Sequence, residues 1–386
     1  MISSNIVEEF IERFKSIPRV FKSPGRINLI GEHTDYNDGF VLPAAIDFHI
    51  DMAIHTNDIK IFRFYSYDYG EYFEMKISDI QKSETHWANY LIGVIAQFNK
   101  AGKSITGVDC VFGGNIPLGA GLSSSAALEC GFAYGLNELF KTKFEKIDLV
   151  KMAQKAEHEF AGVMCGIMDQ FASVFGKENQ VIQLDCRSLD YKYFSLNIPD
   201  YNIVLCDTKV KHSLATSEYN NRRSECEKGV SFIQQYEKDV HSLRDIDKVM
   251  LNKYKYGLDP LIYRRCSYVV EENTRVINSC AALQDNKLEI LGELMYATHD
   301  GLRDDYEVSC RELDILVNFA STQDSVIGAR MMGGGFGGCT INLVLKSETE
   351  RFISSIKQDY LDKTNIELGI YKTKISEGTS EIILTV

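Results

Sequence analysis

The sequence predicts a mixed α+β or α/β protein of two or three lobes. Three observations predict it. At 386 residues the chain is two to three times the roughly 150 residues of a typical domain. Apolar runs of strand type alternate with runs of helical spacing along the whole length. No low-complexity tract, proline-rich linker or internal repeat breaks the alternation.

The elements follow in order. Ile6, Val7, Phe10, Ile11 and Phe14 stand at helical spacing within residues 5–16, and Asn5 with Glu8 has the spacing of a capping box. RVFKSPGRINLI reads as a short strand, a Pro–Gly break and a second apolar segment. Residues 44–80 are rich in Ile, Phe and Tyr with short polar gaps, as sheet strands are. HWANYLIGVIAQFNKAG, 86–102, reads as an amphipathic helix stopped by Gly102, and GVDCVFGGNIP as a strand running into a loop. From Ser123 to Phe140 the chain is apolar almost all round, which predicts a buried helix; another helix is expected over 145–162. NIVLCDT, 202–208, reads as a strand and 213–320 as mostly helical. GCTINLVLK, 338–346, alternates as a half-buried strand does, and EIILTV is a final strand candidate. The polar run SLDYKYFSLNIPDYN suggests a lobe boundary near residues 190–200, giving lobes of 1–195 and 196–386.

Composition narrows the function classes. The net charge is −12, and Arg222–Arg223 and Arg264–Arg265 are the longest basic runs, so nucleic acid is not expected as a partner. The ten cysteines form no CxxC, and several, such as Cys206 in NIVLCDT, sit in apolar runs. They read as reduced, core-filling thiols of a cytoplasmic protein. MISSNIVEEFIERF carries acids and no long apolar run, unlike a secretory signal, and no stretch reaches transmembrane length. A monomer is expected, since no heptad or apolar stripe is left over.

Four segments carry chemistry. GEHTDYNDGF, 31–40, crowds Glu32, His33, Asp35 and Asp38 around glycines. A metal site, a site for a polyhydroxylated ligand and a solvated turn are the alternatives. The oxygens are too many and the ligand spacing too irregular for zinc, so acceptors for sugar hydroxyls explain Glu32 and Asp35 better. GGNIPLGAGLSSSAALE, 113–129, runs strand, glycine loop, buried helix, with three serines at the junction. A helix N-terminus with close backbone approach suits a phosphate, although a capped helix after a tight loop has the same residues. It lacks the Gly-Lys-Ser/Thr end of a Walker loop. MMGGGFGGCTINLV, 331–344, sets five glycines around one Phe before a strand, which calls for close backbone contact with a ligand or another segment. CGIMDQFASVFG places Asp169 among apolar residues, where an acid is a cap, an ion-pair partner or a tuned catalytic group. Glu157 and Glu159 in AEHEFAG lack the second His of a zinc motif. LRDDYE, 302–307, reads as a structural turn or ion-pair site.

Together these segments resemble the galactokinase family. PGRINLIGEHTDYNDGFVLPAAID resembles its sugar signature. GNIPLGAGLSSSAALE and MMGGGFGGCTINLV resemble the phosphate loop and third motif of the wider galactokinase, homoserine kinase, mevalonate kinase and phosphomevalonate kinase group. HWANYLIGVI, AEHEFAGVMCGIMDQFASVFG, DTKVKHSLATSEYNNRRSECE and LRDDYEVSCRELD are similar to galactokinases in particular, and the matches run in order from about residue 20 to residue 345. The resemblance implies an α+β, two-lobed small-molecule kinase fold with the active site between the lobes. It implies ATP-dependent phosphorylation of the C1 hydroxyl of D-galactose, the first committed step of galactose catabolism, with Mg²⁺. By position, Asp169 matches the proposed base and Arg26 the arginine that steadies it and the moving phosphoryl group. Glu32, His33, Asp35, Gly166, Asp169 and Tyr219 match the sugar site. Gly119, Gly121, Leu122, Ser123, Ser124 and Ser125 match the phosphate loop, and Trp87 and Tyr90 the region enclosing the adenine. Ser125 and Glu157 match the Mg²⁺ positions; Gly334 and Gly335 are expected near sugar and phosphates. Met332 departs from the small polar residue usual before the glycines. NNRR departs after Tyr219, at a place expected to be peripheral. A non-catalytic sugar sensor and a kinase for another sugar are the rivals. Intact Ser125–Ala126 favours an enzyme, and Glu32 and Asp35 would repel a sugar carboxylate.

Overall fold

A computed structural model of the chain describes residues 2–117, 119–210 and 215–383. Its elements begin with α1 (Ile2–Phe14), β1 (Arg19–Asn28), β2 (Phe40–Val41), β3 (Pro43–Thr56), β4 (Ile61–Ser66) and β5 (Glu71–Lys76). They continue with α2 (Ala88–Lys100), β6 (Val108–Gly114), α3 (Ser124–Phe140), α4 (Lys146–Ala156), α5 (Met168–Phe175), β7 (Gln180–Asp185), β8 (Tyr191–Ser195) and β9 (Tyr201–Asp207). Then come α6 (Ala215–Gln234), α7 (Lys248–Lys253), α8 (Pro260–Gln284), α9 (Leu288–Asp304), α10 (Arg311–Ser321), β10 (Val326–Met331), β11 (Cys339–Leu345), α11 (Thr349–Thr364), β12 (Gly369–Thr373) and β13 (Ser380–Ile382).

The strands form a six-stranded sheet in the order β13-β1-β3-β6-β4-β5, a four-stranded sheet β10-β11-β9-β12 and a three-stranded sheet β2-β7-β8. Helix α3 lies on β1 and β3, with α2 and α4 beside it. The first two sheets share one apolar core, in which Ile27, Leu29 and Ile46 meet Leu205, Ile341 and Leu343. The last described strand, β13, returns to the first sheet and pairs antiparallel with β1. A second core gathers Cys226, Tyr268, Val269, Leu302, Tyr306 and Met331 under the helices of the second half.

Several local expectations are corrected. Helix α1 already begins at Ile2, so Asn5 and Glu8 lie inside it and do not cap it. The Pro–Gly pair does not break β1. The strand runs through, and its register against β3 slips between Pro24 and Arg26. A bulge removes the need for a ladder donor at proline. Gly25 is required there, because an added Cβ would stand 2.6 Å from the Leu122 carbonyl oxygen. Strand β11 is buried from Cys339 to Val344, on both faces, because it runs between β10 and β9 with core on either side. The amide nitrogen of its polar Asn342 is satisfied inward, donating to Val204 O and Thr340 Oγ1, both at 3.0 Å, while its Oδ1 is buried without a partner among the described residues. Of EIILTV, Glu381 and Ile382 are strand, and Leu384–Val386 lie outside the described residues. Strands β7, β8, β10 and β12 and helix α11 had no sequence expectation. Helix α8 is started by Asp259, whose side chain accepts from Leu261 N at 2.8 Å, with Pro260 in its first turn.

All ten cysteines are free. Among the described residues no helix is long and apolar enough to cross a membrane.

Candidate functional site

The bulge in β1 aims Arg26 at the start of α5. Its guanidinium grips Asp169 with two bonds, Nε to Oδ1 at 2.6 Å and Nη2 to Oδ2 at 2.8 Å. This is the bidentate geometry in which arginine binds a carboxylate best. Nη1 donates to Gly121 O at 2.6 Å, and Ser123 Oγ donates to Asp169 Oδ2 at 2.5 Å. The pair therefore ties β1, the glycine loop before α3 and α5 together at one point. Oδ1 of Asp169 accepts a single bond among the described residues, which leaves it acceptor capacity, and Asp169 lines the cavity.

The 31–40 loop follows β1. Glu32 is buried, and its Oε1 accepts from Gly333 N at 2.8 Å and from Arg330 Nη2 at 3.1 Å. Arg330 is fully buried and also donates to Leu29 O at 2.9 Å and Met331 O at 2.6 Å. It thus fixes one oxygen of Glu32 and leaves the other for the cavity. His33 sits in the left-handed region at φ 63°, with Nδ1 2.7 Å from the Tyr36 hydroxyl. That hydroxyl lies 2.8 Å from Tyr306 Oη. Burial lowers the His33 pKa to about 3, against a small opposing effect of the Gly334 backbone, and Nε2 has no well-aligned partner. Asp35 lies against Gly166: a Cβ on that glycine would stand 1.7 Å from Asp35 Oδ2. Burial, and then the charge of Asp169, push the Asp35 pKa up to about 7. Asp38 faces outward to Arg187 at 3.8 Å.

Asp35 and His33 oppose each other in pH. A carboxyl raised from 3.8 to about 7 binds its proton more tightly when folded, so its contribution to stability is lost as pH rises through that window. A histidine lowered from 6.5 to about 3 stays neutral when folded, so its contribution is lost as pH falls through the window below 6.5. In the wild type the two slopes offset. Asp35→Asn is expected to lose stability more steeply than wild type between pH 6.5 and about 4, read from urea midpoints at each pH. Parallel curves would remove the opposition.

In the glycine loop, Gly119, Gly121 and Ser123 have φ of 76°, 72° and 58°. Left-handed residues in alternation turn backbone N–H groups to one side, as in an anion-binding nest. Leu118, within this loop, lies outside the described residues. Ser123 holds the N-cap position of α3 without capping it, because its hydroxyl is used on Asp169. Leu122 is a buried core residue; Ser124 and Ser125 open the helix half-exposed. Ser125 Oγ donates to Glu157 Oε1 at 3.1 Å, while Gln170 Nε2 donates to Glu157 Oε2 at 2.7 Å. The expected 145–162 helix is regular only to Ala156. Glu157–Ala161 is a wider π-helical turn, a distortion common at functional sites, and it carries Glu157. Burial, then Asp169, raise the Glu157 pKa. A hydroxyl and a carboxylate are hard oxygen donors, and Mg²⁺ takes one or two such protein ligands beside substrate phosphates, so this pair fits it. Tyr90 is pushed up to about 12 by burial and the nearby Glu157. Trp87 is packed between Phe73 and Phe112, with Nε1 donating to Glu71 at 2.6 Å.

The third motif closes the site. Gly333 reaches Glu32, Gly334 lies against the Tyr219 ring, and Gly335 admits no Cβ because Val308 O would be 2.2 Å away. Met332 is buried in the shared core. Residues 211–214, part of the DTKVKHSLATSEYNNRRSECE match, lie outside the described residues. The NNRR segment is not peripheral. Arg222 is buried, donating to Tyr306 O at 2.7 Å and Glu307 O at 2.9 Å, because LRDDYE packs on α6. Arg223 stays at the surface with Glu227.

A cavity of about 250 Å³ lies at the meeting point. Arg26, Glu32, His33, Asp35, Glu157, Gly166, Asp169 and Tyr219 line it together with Gly333–Phe336. Its volume is just under the roughly 300 Å³ at which drug-sized pockets begin, which fits a ligand smaller than those. Trp87, Tyr90, Gly119, Gly121, Leu122, Ser123, Ser124 and Ser125 are not among the lining residues, although Gly121, Ser123 and Ser125 bond directly to residues that are.

Residues 89–177 match the family model "GHMP kinases N terminal domain", 280–362 match "GHMP kinases C terminal", and 8–56 match the "Galactokinase galactose-binding signature". A curated galactokinase of Thermosipho africanus is 44% identical over 94% of this chain and 99% of its own. The chain belongs to the galactokinase family. The galactose complex of Lactococcus lactis galactokinase superposes with a TM-score of 0.95 at 35% identity, covering 99% of this chain and 100% of that one. A Methanococcus jannaschii mevalonate kinase, 15% identical, shares the fold with a TM-score of 0.64 over 94% of this chain and 100% of its own.

Family membership does not by itself reveal the supporting residues. Arg330, Tyr36 and Gln170 escaped the sequence reading, and Arg222 lies in the segment expected to be peripheral. Arg330 left a signal: a charge inside the apolar strand VIGARM, just before the glycines, needs a buried partner.

Proposed function

We propose that this chain transfers the terminal phosphoryl group of ATP to the C1 hydroxyl of D-galactose. The observation that carries the reading is the Arg26–Asp169 pair. It stands where the sugar-signature loop and the glycine loop meet, within one cavity. Asp169 Oδ1 accepts the proton of the attacking hydroxyl. Arg26 holds that carboxylate in place and adds positive charge beside the moving phosphoryl group. Phosphoryl transfer is mostly positioning and charge stabilisation, so fixed groups of this kind are what it needs. Glu32, His33, Asp35, Gly166 and Tyr219 hold the sugar. Its hydroxyls meet acceptors and donors already fixed by Arg330, Tyr36 and Gly333. A misplaced hydroxyl leaves buried groups unpaired, at about 1–3 kcal/mol each.

The nest of Gly119, Gly121 and Ser123, with Ser124 and the amino end of α3, receives the phosphates. Ser125 and Glu157 are the residues that would hold Mg²⁺, which supplies charge neutralisation to ATP when bound. Trp87 and Tyr90 border the adenine region, Trp87 by shaping its wall from the core. The division of the chain at 195/196 is kept as the lobe boundary, with β13 crossing back to the first sheet. The free cysteines support a reducing, cytoplasmic setting.

An ADP-release assay with Mg·ATP and a panel of galactose, glucose, N-acetylgalactosamine, galacturonate and arabinose tests the reading. Turnover on galactose above the others is expected. A protein that galactose stabilises against heat without any ADP release is a sensor, and the enzyme claim then fails. Turnover on another sugar keeps the mechanism and moves the specificity.

A further inference from the structure

Helix α8 lies outside the cavity and outside every motif discussed, yet one of its faces is bonded to both ends of the 31–40 loop. Tyr268, Glu272, Asn273 and Val276 stand four, one and three residues apart, so they share a face. Glu272 Oε1 accepts from Gly31 N at 2.7 Å, and Tyr268 Oη donates to Glu32 O at 3.0 Å. Asn273 Oδ1 accepts from Phe40 N at 2.9 Å. The loop's two glycines meet the same face. A Cβ on Gly31 would stand 2.9 Å from Val276 Cγ2, and one on Gly39 would stand 2.4 Å from Asn273 Oδ1. The face is itself held rigid: Glu272 Oε2 accepts from Arg275 Nε at 2.5 Å and from Thr298 Oγ1 at 2.9 Å.

We propose that this face of α8 sets the sugar specificity of the site, by fixing the backbone of the loop that carries Glu32, His33 and Asp35. The inference rests on the galactokinase reading above. Tyr268, Glu272 and Asn273 are positioning residues; none of them lines the cavity. The loop has three short polar side chains to aim at hydroxyls, and its conformation includes left-handed residues at Gly31, His33 and Asp38. Thr34 and Asn37 brace the loop from within, through Thr34 Oγ1 to Gly31 O and Phe40 O and Asn37 Nδ2 to His33 O, and the bonds from α8 anchor that braced unit at both ends, Gly31 and Phe40. Loosening one end blurs the aim of the groups between. Among the described residues the glycine loop makes no bond to this face, so the face is expected to act on galactose far more than on ATP.

The test uses Asn273, whose Oδ1 is the atom engaged. Asn273→Leu removes the acceptor at similar volume, and Asn273→Asp keeps it. Galactose KM is expected to rise roughly tenfold in Asn273→Leu, the worth of one net hydrogen bond. ATP KM should stay near wild type, and preference for galactose over glucose should fall. Asn273→Asp should restore galactose KM toward wild type. Should Asn273→Leu not fold, Asn273→Ala carries the same comparison. An unchanged galactose KM, galactose and ATP KM rising together, or Asn273→Asp as impaired as Asn273→Leu would each overturn the proposal. If the wild type itself does not turn over galactose, the activity reading fails. The variants then report through the galactose-induced shift in melting temperature, where loss in Asn273→Leu and recovery in Asn273→Asp still support the clamp.

Discussion

Asp169→Asn is expected to lose turnover by roughly 10²–10⁴-fold, the usual worth of a positioned general base, while keeping most of its affinity for ATP. The amide cannot take up a proton, and it also disturbs the pair it inherits. Arg26 offers two N–H groups to Asp169, at 2.6 and 2.8 Å, and an amide can answer only one of them with oxygen. Ser123 then competes for that same oxygen. The glycine loop proposed to take the phosphates is built from backbone of Gly119, Gly121 and Ser123 and from the start of α3, so it is expected to survive the change. Single-turnover kinetics with ATP binding by calorimetry separate the two effects. Chemistry near the wild-type rate would remove Asp169 as the base and leave the work to Arg26 alone. Loss of ATP binding together with turnover would mean that Asp169 acts through Ser123 on the loop instead.

How much of this was legible before the structure follows from where each partner sits in the chain. GEHTDYNDGF stood out because its polar groups are adjacent in sequence, and Glu32, His33 and Asp35 do line the cavity together. Asp169 stood out as an acid among apolar neighbours. That Arg26 is its partner, 143 residues earlier, follows from the bulge in β1 and the start of α5, and no spacing rule expresses it. Arg330 and Glu32 are 298 residues apart, and Tyr268 and Glu32 are 236 apart. Such pairs arise only once the two halves share a core. The errors have the same origin. Cys339–Leu345 alternates as a half-buried strand, yet it is central, and the Asn342 amide nitrogen donates to Val204 O and Thr340 Oγ1, neighbours that periodicity does not see. NNRR, a departure after Tyr219, is expected from sequence to be peripheral; Arg222 instead donates to the backbone of Tyr306 and Glu307. Pro24–Gly25 reads as a breaker, but the bulge turns the break into a device that points Arg26 inward.

Gly166→Ala carries the second large expected effect, and it acts through one atom. Gly166 stands at the entrance to α5, where Ile167 holds the N-cap position and Asp169 lies in the first turn. An added methyl carbon would stand 1.7 Å from Asp35 Oδ2 and 2.0 Å from its Cγ, far inside any real contact. Swinging Asp35 away costs the bond from Tyr36 N to Oδ1 at 3.0 Å and moves its carboxyl within the cavity beside the Tyr219 and Tyr36 rings, which lie 5.2 Å apart. Either the carboxyl is displaced from its place in the cavity lining, or the 163–167 segment shifts and takes Asp169 with it. The two responses differ in kinetics. Displacement of Asp35 raises galactose KM and leaves kcat near wild type. Movement of Asp169 lowers kcat as well, since a misplacement of about 1 Å can cost roughly 100-fold in rate. A combined loss of about 100-fold in kcat/KM for galactose is therefore expected, with ATP KM little changed. The double variant Gly166→Ala, Asp35→Gly opens the space again. It should recover the kcat part of the loss if the clash moves Asp169, and recover nothing in kcat if Asp35 alone had been displaced. Wild-type galactose kinetics in Gly166→Ala would show that the loop yields freely, and the close fit of Gly166 to Asp35 would then have no part in holding the sugar.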